Sequence, residues 1–236
     1  MGGASSESLT CNAVEWQVSE GGGPIIENNM VTVNNPETAR AWEGAVRWLR
    51  TISPPGVIAY KERDAYNVRK AGGAAFMRNR PLCIFGELAQ GSLTKDQFDI
   101  ASLQRGRARV GATVGGRGYA FPAFAPSSRG IDAGSVLSIP DTQLKRSRKI
   151  GGSPTIPELY NDPRMLPANP YFSTILKTYR NGKILRPSTE TGKRYPDLSR
   201  AYFTAVHEIL ASKKPAATSH QKSTRIDLGS IRELEG

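Results

Sequence analysis

The spacing of apolar residues predicts a chain built mainly of helices, with short strands between them. Ala39, Trp42, Val46 and Leu49 fall on one face at a helical period. Asn35-Pro36 ahead of them supplies an N-cap and a proline at the first helical position. Ser53-Pro54-Pro55-Gly56 cannot continue that helix. The clearest stripe is Leu198, Ala201, Tyr202, Ala205, Val206, Ile209 and Leu210, which predicts a helix from Pro196 to about Ser212. Asp197 in its first turn and Lys213-Lys214 just past its end match the helix dipole. Another helix is expected after Asn169-Pro170, burying Phe172, Ile175, Leu176 and Tyr179 and stopping at Asn181-Gly182. Asp64 is expected to cap a short helix through about Ala71, ended by Gly72-Gly73.

Strand signals are short. Ile25-Ile26 and Val31-Thr32-Val33 flank Asn28-Asn29 and read as a strand pair. Ala74 to Met77 reads as a buried strand that delivers Arg78-Asn79-Arg80-Pro81 to a loop. Phe98 to Ala101 and Val110 to Val114 read as further strands, with Tyr119 to Phe124 the expected partner of the second. Residues 125–150 hold Pro126, Gly130, Gly134 and Pro140 and show no clear period. Met1 to Thr10 is small and polar and reads as a flexible end. The tail from Pro215 onward is polar, with no core face.

Composition narrows the classes. The chain has 236 residues, 24 of them Gly and 16 Pro, which predicts many loops. No apolar run is long enough for a membrane-spanning helix, and the start lacks the basic end and apolar stretch of a secretory signal. Two cysteines, Cys11 and Cys83, cannot form a disulfide framework. His207 and His220 lie far from either, which argues against zinc. His207 falls off its helix stripe and His220 sits in the tail, so neither is a credible base for a nucleophile. No nucleophile elbow or phosphate loop occurs. Glu15, Glu62, Asp64 and Glu158 could serve a hydrolase only if two faced each other; surface solvation is the expectation for each. The residues therefore argue against an enzyme and imply no cofactor and no metal.

Charge adds one feature. The formal net charge is +11. Residues 101–150 carry nine cations (Arg105, Arg107, Arg109, Arg117, Arg129, Lys145, Arg146, Arg148, Lys149) against Asp132 and Asp141, a net +7. That window could attract phosphates, although a solvated surface is the plainer reading. Its aromatics, Tyr119, Phe121 and Phe124, sit in no nucleic-acid-binding motif.

A set of segments taken in order says more. Leu9-Thr10-Cys11-Asn12-Ala13-Val14-Glu15-Trp16 leads to Gly21-Gly22-Gly23. Val31-Thr32-Val33-Asn34-Asn35-Pro36, Thr51-Ile52-Ser53-Pro54-Pro55-Gly56-Val57 and Ala74-Ala75-Phe76-Met77-Arg78-Asn79 follow. Gly115-Gly116, Pro154-Thr155-Ile156-Pro157-Glu158-Leu159-Tyr160, Arg186-Pro187-Ser188-Thr189 and Ala201-Tyr202-Phe203-Thr204-Ala205-Val206-His207 complete the set. Over residues 9–211 this order resembles the C-terminal part of bacterial extracellular solute-binding proteins of sugar ABC transporters, in the trehalose/maltose-binding branch.

The resemblance implies an α/β fold: the C-terminal lobe of a two-lobed periplasmic-binding-protein (type II) fold, helix-rich, with the N-terminal lobe mostly missing. It implies residues 1–8 as a flexible end, 9–214 as the lobe with 125–150 divergent and basic, and 215–236 as a polar tail. Sugar would bind in the cleft between lobes, which close by hinge motion and then dock on permease subunits in the periplasm. The expected partners are a di- or oligosaccharide and the permease, with no membrane insertion and little reason for nucleic acid.

Implied ligand-binding positions are Asn79, Arg80, Gly116, Arg117 and Arg186. Arg186 before Pro187 matches a family arginine that bonds ligand hydroxyls. Arg80 and Arg117 stand where the family offers a tryptophan to the sugar, so two stacking rings are replaced by guanidinium groups. The expected function is carbohydrate binding for an ABC transporter in a truncated, diverged form. The alternatives are a basic nucleic-acid- or anion-binding module centred on 101–150, or a non-functional remnant.

Overall fold

A computed structural model describes residues 1–81, 83, 97–116, 118, 120 and 127–211. The chain divides into two compact units. The first comprises Met1–Asn79, Leu103–Val114 and the segment from Asn181 onward; the second comprises Arg80–Ser102 and Gly115–Arg180.

The first unit is built on α1 (Glu7–Glu20), α2 (Pro36–Thr51) and the later helix α8 (Tyr195–Ala211). Leu9, Ala13 and Val14 of α1 pack with Trp42, Ala45 and Val46 of α2 and with Leu198, Tyr202, Val206 and Leu210 of α8. The Trp42 and Tyr202 rings meet edge-on, with centroids 5.9 Å apart. The apolar stripes read from the sequence in α2 and α8 are thus the faces that are buried.

Helix α1 begins where a flexible end is expected, and this is a correction. Gly3 and Ala4 donate backbone hydrogen bonds to the carbonyls of Val57 and Tyr60, and Leu9 is fully buried. Its sequence carries no stripe because the helix is covered on several sides, and polar residues occupy buried positions with partners. Thr10 bonds Ser199 at 2.8 Å, the Asn12 amide donates to the Gly2 carbonyl at 2.8 Å, and the Tyr202 hydroxyl donates to Gln17 at 2.8 Å. Buried polar groups with partners are tolerated, and a hydrophobic period cannot detect them.

Gly21 ends α1 in the left-handed region at φ 100°, and the Gly22 amide returns to the Gln17 carbonyl at 2.8 Å. This is the 6→1 bond of a Schellman stop. A hairpin of β1 (Ile26–Glu27) and β2 (Met30–Val31) follows where the strand pair is expected, with strands of two residues that lie closer to the turn than those read. Asn28 and Asn29, at φ 53° and 59°, form the two-residue turn whose twist suits paired strands. Asn35 caps α2 as expected, accepting from the Thr38 amide at 2.8 Å. Helix α3 (Glu62–Lys70) is capped from inside: the carboxylate of Asp64 in its first turn accepts from the Lys61 amide at 2.9 Å.

The strands after α3 depart from the sequence reading. Residues 74–77 form no strand, and Phe76 is 93% exposed. Residues 98–101 are irregular. The expected strand at 110–114 shrinks to β3 (Ala112–Thr113). Its partner is β4 (Lys183–Ile184), in parallel register; most of the expected partner at 119–124 lies outside the described residues.

The second unit contains α4 (Ser127–Ser138), α5 (Pro140–Ile150) and, as far as Arg180, α6 (Phe172–Gly182). The stretch 125–150, which shows no clear period in the sequence, is helical from Ser127 and interrupted at Ile139. Pro140 opens α5 at its first turn, where a missing amide costs nothing. Leu144, Leu159, Tyr160, Met165, Phe172, Ile175 and Leu176 form this unit's core. Asn169 is 4% exposed, and its amide reaches the Ser147 carbonyl and the Met165 sulfur rather than capping α6. A four-residue helix α7 (Ser188–Thr191) precedes α8. The tail from 212 lies outside the described residues.

Candidate functional site

The most ordered polar arrangement lies along α1 in the first unit. Glu7, Cys11 and Glu15 are spaced four apart and so share one helix face. Segments far away in sequence converge on each end of this face.

At one end, Glu7 accepts from Arg186 Nη1 and from the Tyr195 hydroxyl, both at 2.5 Å, and from the Ser199 hydroxyl. The Arg186 guanidinium lies over the Tyr195 ring, 5.8 Å from its centroid. Burial and the bond to Glu7 both push the Tyr195 phenol up. At the other end, Glu15 is held by Arg78 through two nitrogens, Nε at 2.8 Å and Nη2, and by the Thr113 amide at 2.8 Å. This fork is the bidentate arrangement that a guanidinium makes with a carboxylate. Burial alone would lower the Arg78 guanidinium, but pairing with Glu15 outweighs it and holds the group above its ordinary value.

Cys11 sits between the two pairs. Burial raises its thiol, against the lowering fields of Arg186 and Arg78. The Thr113 hydroxyl donates to the Cys11 carbonyl at 2.9 Å, which ties β3 to the middle of this face. Cys11 is in no disulfide.

Glu15 is only 4% exposed, which corrects the expectation of a solvated carboxylate. Its buried state was hidden because Arg78, its partner, lies 63 residues away. The four-residue spacing of Glu7, Cys11 and Glu15 was the available signal.

The expected ligand-binding positions fall as follows. In the first unit, Arg186 is half-buried against Glu7 and Tyr195. Asn79 is half-buried, and its amide donates to the Glu62 carbonyl at 2.9 Å, shaping the loop. In the second unit, Arg80 is exposed, and a Cβ at Gly116 would meet open space. Arg117 lies outside the described residues. Two exposed apolar residues flank the arginines in the chain: Phe76 precedes Arg78 by two positions, and Leu185, 68% exposed, precedes Arg186. The basic window 101–150 is divided between the units, with Arg105, Arg107 and Arg109 in the first and Lys145 to Lys149 in the second.

No protein-family profile matches the chain. It is 34% identical over 214 residues to a probable ABC transporter-binding protein of Deinococcus radiodurans, a match covering 89% of this chain and 51% of that protein. The chain thus spans about half the length of the curated relative it matches. Among solved structures, maltose-bound MalE3 of T. maritima superposes with a TM-score of 0.84 at 28% identity, covering 99% of this chain and 59% of that one. An ABC transporter solute-binding protein of Thermotoga lettingae bound with α-D-tagatose gives 0.84 at 18% identity, with 100% of this chain and 59% of that one covered. One from Agrobacterium radiobacter in complex with ribitol gives 0.80 at 19%, with 99% and 58% covered. The last two speak to the fold alone. The fold is that of periplasmic binding proteins, represented here by a helix-rich α/β portion. The homologue and the structural neighbours are binding proteins of transport rather than enzymes.

Proposed function

We propose that the chain is a carbohydrate-binding portion of an ABC-transporter solute-binding protein, with a trehalose- or maltose-type sugar as ligand. The observation that carries this reading is the match to a maltose-bound structure over 99% of the chain at a TM-score of 0.84. The ligand named for that neighbour, maltose, is a polyhydroxylated sugar. A polyol needs planar hydrogen-bond donors for its hydroxyls and apolar surface for its C–H faces.

Residues with those properties are present. Arg186 carries five N–H donors in a fixed fork, and its bond to Glu7 and its stack on Tyr195 hold that fork in place. Asn79, Arg80, Gly116 and Arg117 are the further ligand-binding candidates, with Asn79 shaping its loop. Phe76, 93% exposed, offers a ring just ahead of them. A periplasmic or extracellular location and docking on permease subunits belong to the same reading. No helix among the described residues is long and apolar enough to cross a membrane.

The test is isothermal calorimetry of the chain with trehalose, maltose and sucrose. Saturable heat is expected with at least one, and Arg186→Ala is expected to weaken it. No binding at millimolar sugar would remove the reading for this chain.

A further inference from the structure

Helix α5 carries a charge pattern that neither the core of its unit nor the sugar reading uses. Lys145, Arg146, Arg148 and Lys149 are all exposed, and the helix buries only Leu144 and Ser147. At 100° per residue the four cations span an arc of roughly 160°, opposite those two. Arg148 and Lys149 lie in the last turn, where the helix dipole favours cations. Lys145 and Arg146 lie a turn earlier, and the dipole gives no reason for them.

The cluster works against the helix that bears it. The pairs 145/148, 145/149 and 146/149 place like charges three or four apart, each of which weakens a helix. Among the described residues none of the four is in an ion pair. The one acid on α5, Asp141, faces Arg164 at 3.5 Å. Exposed apolar side chains flank the cations in the chain: Val136 at 52% and Ile139 at 47% before them, and Ile150 at 50% after them.

We infer that the α4–α5 face docks on a lipid bilayer bearing anionic headgroups. Four exposed cations on one face, none in an ion pair among the described residues, complement a negative surface, and each one near such a surface adds to the attraction. The flanking apolar residues fit the boundary between headgroups and acyl chains, which a phosphate backbone does not provide. Residues 127–150 contain no aromatic on which a nucleobase could stack. The contact is peripheral, and it is independent of sugar binding.

The test is flotation of the full chain with phosphatidylcholine vesicles, with and without phosphatidylglycerol. Binding is expected only with the anionic lipid. It should fall sharply between about 0.1 M and about 1 M salt, as the Debye length shrinks from about 10 Å to about 3 Å. Combining Lys145→Gln, Arg146→Gln, Arg148→Gln and Lys149→Gln should lower the partition coefficient by about tenfold or more. A control removing four exposed cations of the first unit (Arg47→Gln, Lys61→Gln, Arg63→Gln and Lys183→Gln) should change it by less than about twofold. Far-UV circular dichroism and melting establish that each variant folds. As a second variant, Ile139→Ser with Ile150→Ser should reduce the binding that survives high salt.

The inference is overturned if the chain does not float with anionic vesicles. It is also overturned if the α5 variant binds like the parent, or if the control loses as much. Retention on duplex DNA without vesicle binding would assign the face to nucleic acid and overturn it too.

Discussion

Arg78 closes a two-nitrogen fork on Glu15 across 63 residues of sequence, and Glu15 is almost fully buried. The pair, with the Thr113 amide on the same carboxylate, joins α1, the loop after α3 and β3. Arg78→Ala leaves a buried carboxylate without its counter-charge. We expect a loss of about 3 kcal/mol in stability, measured by urea unfolding. Adding Glu15→Gln to that variant should recover part of the loss, because the uncompensated charge is then gone. Equal stabilities for the single and double variants would refute this account.

Asn35 is both the N-cap of α2 and a tie to the preceding turns, its amide donating to the carbonyls of Gly22 and Thr32 at 2.9 and 2.8 Å. Asn35→Ala should cost about 1–2 kcal/mol. Asn35→Asp keeps the acceptor for Thr38 but loses both donations, and should fall between the two. Thermal melts of the three proteins give the order directly.

The Tyr160 phenol donates to the Pro154 carbonyl at 2.9 Å, and burial, with Tyr179 nearby, pushes it up to about 12. Below about pH 10 the phenol is protonated in folded and unfolded chains alike, so it adds no pH dependence. Between about pH 10 and about pH 12 the unfolded phenol has lost its proton while the folded one keeps it, so stability falls as pH rises. Tyr160→Phe should make that slope shallower. The check is the denaturation midpoint across this window, with tyrosinate absorbance followed in parallel.

Phe76 separates stability from binding. At 93% exposure its ring adds almost nothing to the fold, so Phe76→Ser should change stability by less than about 0.5 kcal/mol. If the ring supports a sugar face, affinity should fall by about 1 kcal/mol, roughly fivefold. Calorimetry and a melt on the same sample distinguish the two effects, and unchanged affinity would exclude Phe76 from the site.

Arg80→Trp tests the family comparison from the opposite direction. An added indole at that exposed position should strengthen sugar binding by about 1 kcal/mol. Unchanged or weaker binding would show that residue 80 does not face the ligand.

Legibility in the sequence followed the physics of each element. Helices α2 and α8 were readable because one face is apolar and the other meets water. The turn at Asn28-Asn29 was readable because its backbone favours those residues. Helix α1 was not, because its buried positions include Thr10, Asn12, Glu15 and Gln17, whose partners come from other segments. Strands β3 and β4 are two residues each, too short for an alternating pattern to register. In the candidate site Arg186 was legible by resemblance, and Arg78 lay in a motif that carries that resemblance. Glu15 lay in such a motif too, but the pairing of either arginine with its carboxylate was not legible, since ion pairs across 63 and 179 residues leave no local trace.

The packing of α8 on α1 also governs when this protein can fold during synthesis. Thr10 meets Ser199, and Gln17 meets Tyr202, across separations of 189 and 185 residues. Contacts of such range are slow to form. A nascent chain has α1 and α2 well before α8, and it lacks the third wall of their core until residues near Leu210 leave the ribosome. Until then Leu9, Val14 and Trp42 have no complete shelter, and transiently exposed apolar surface of this kind is open to association.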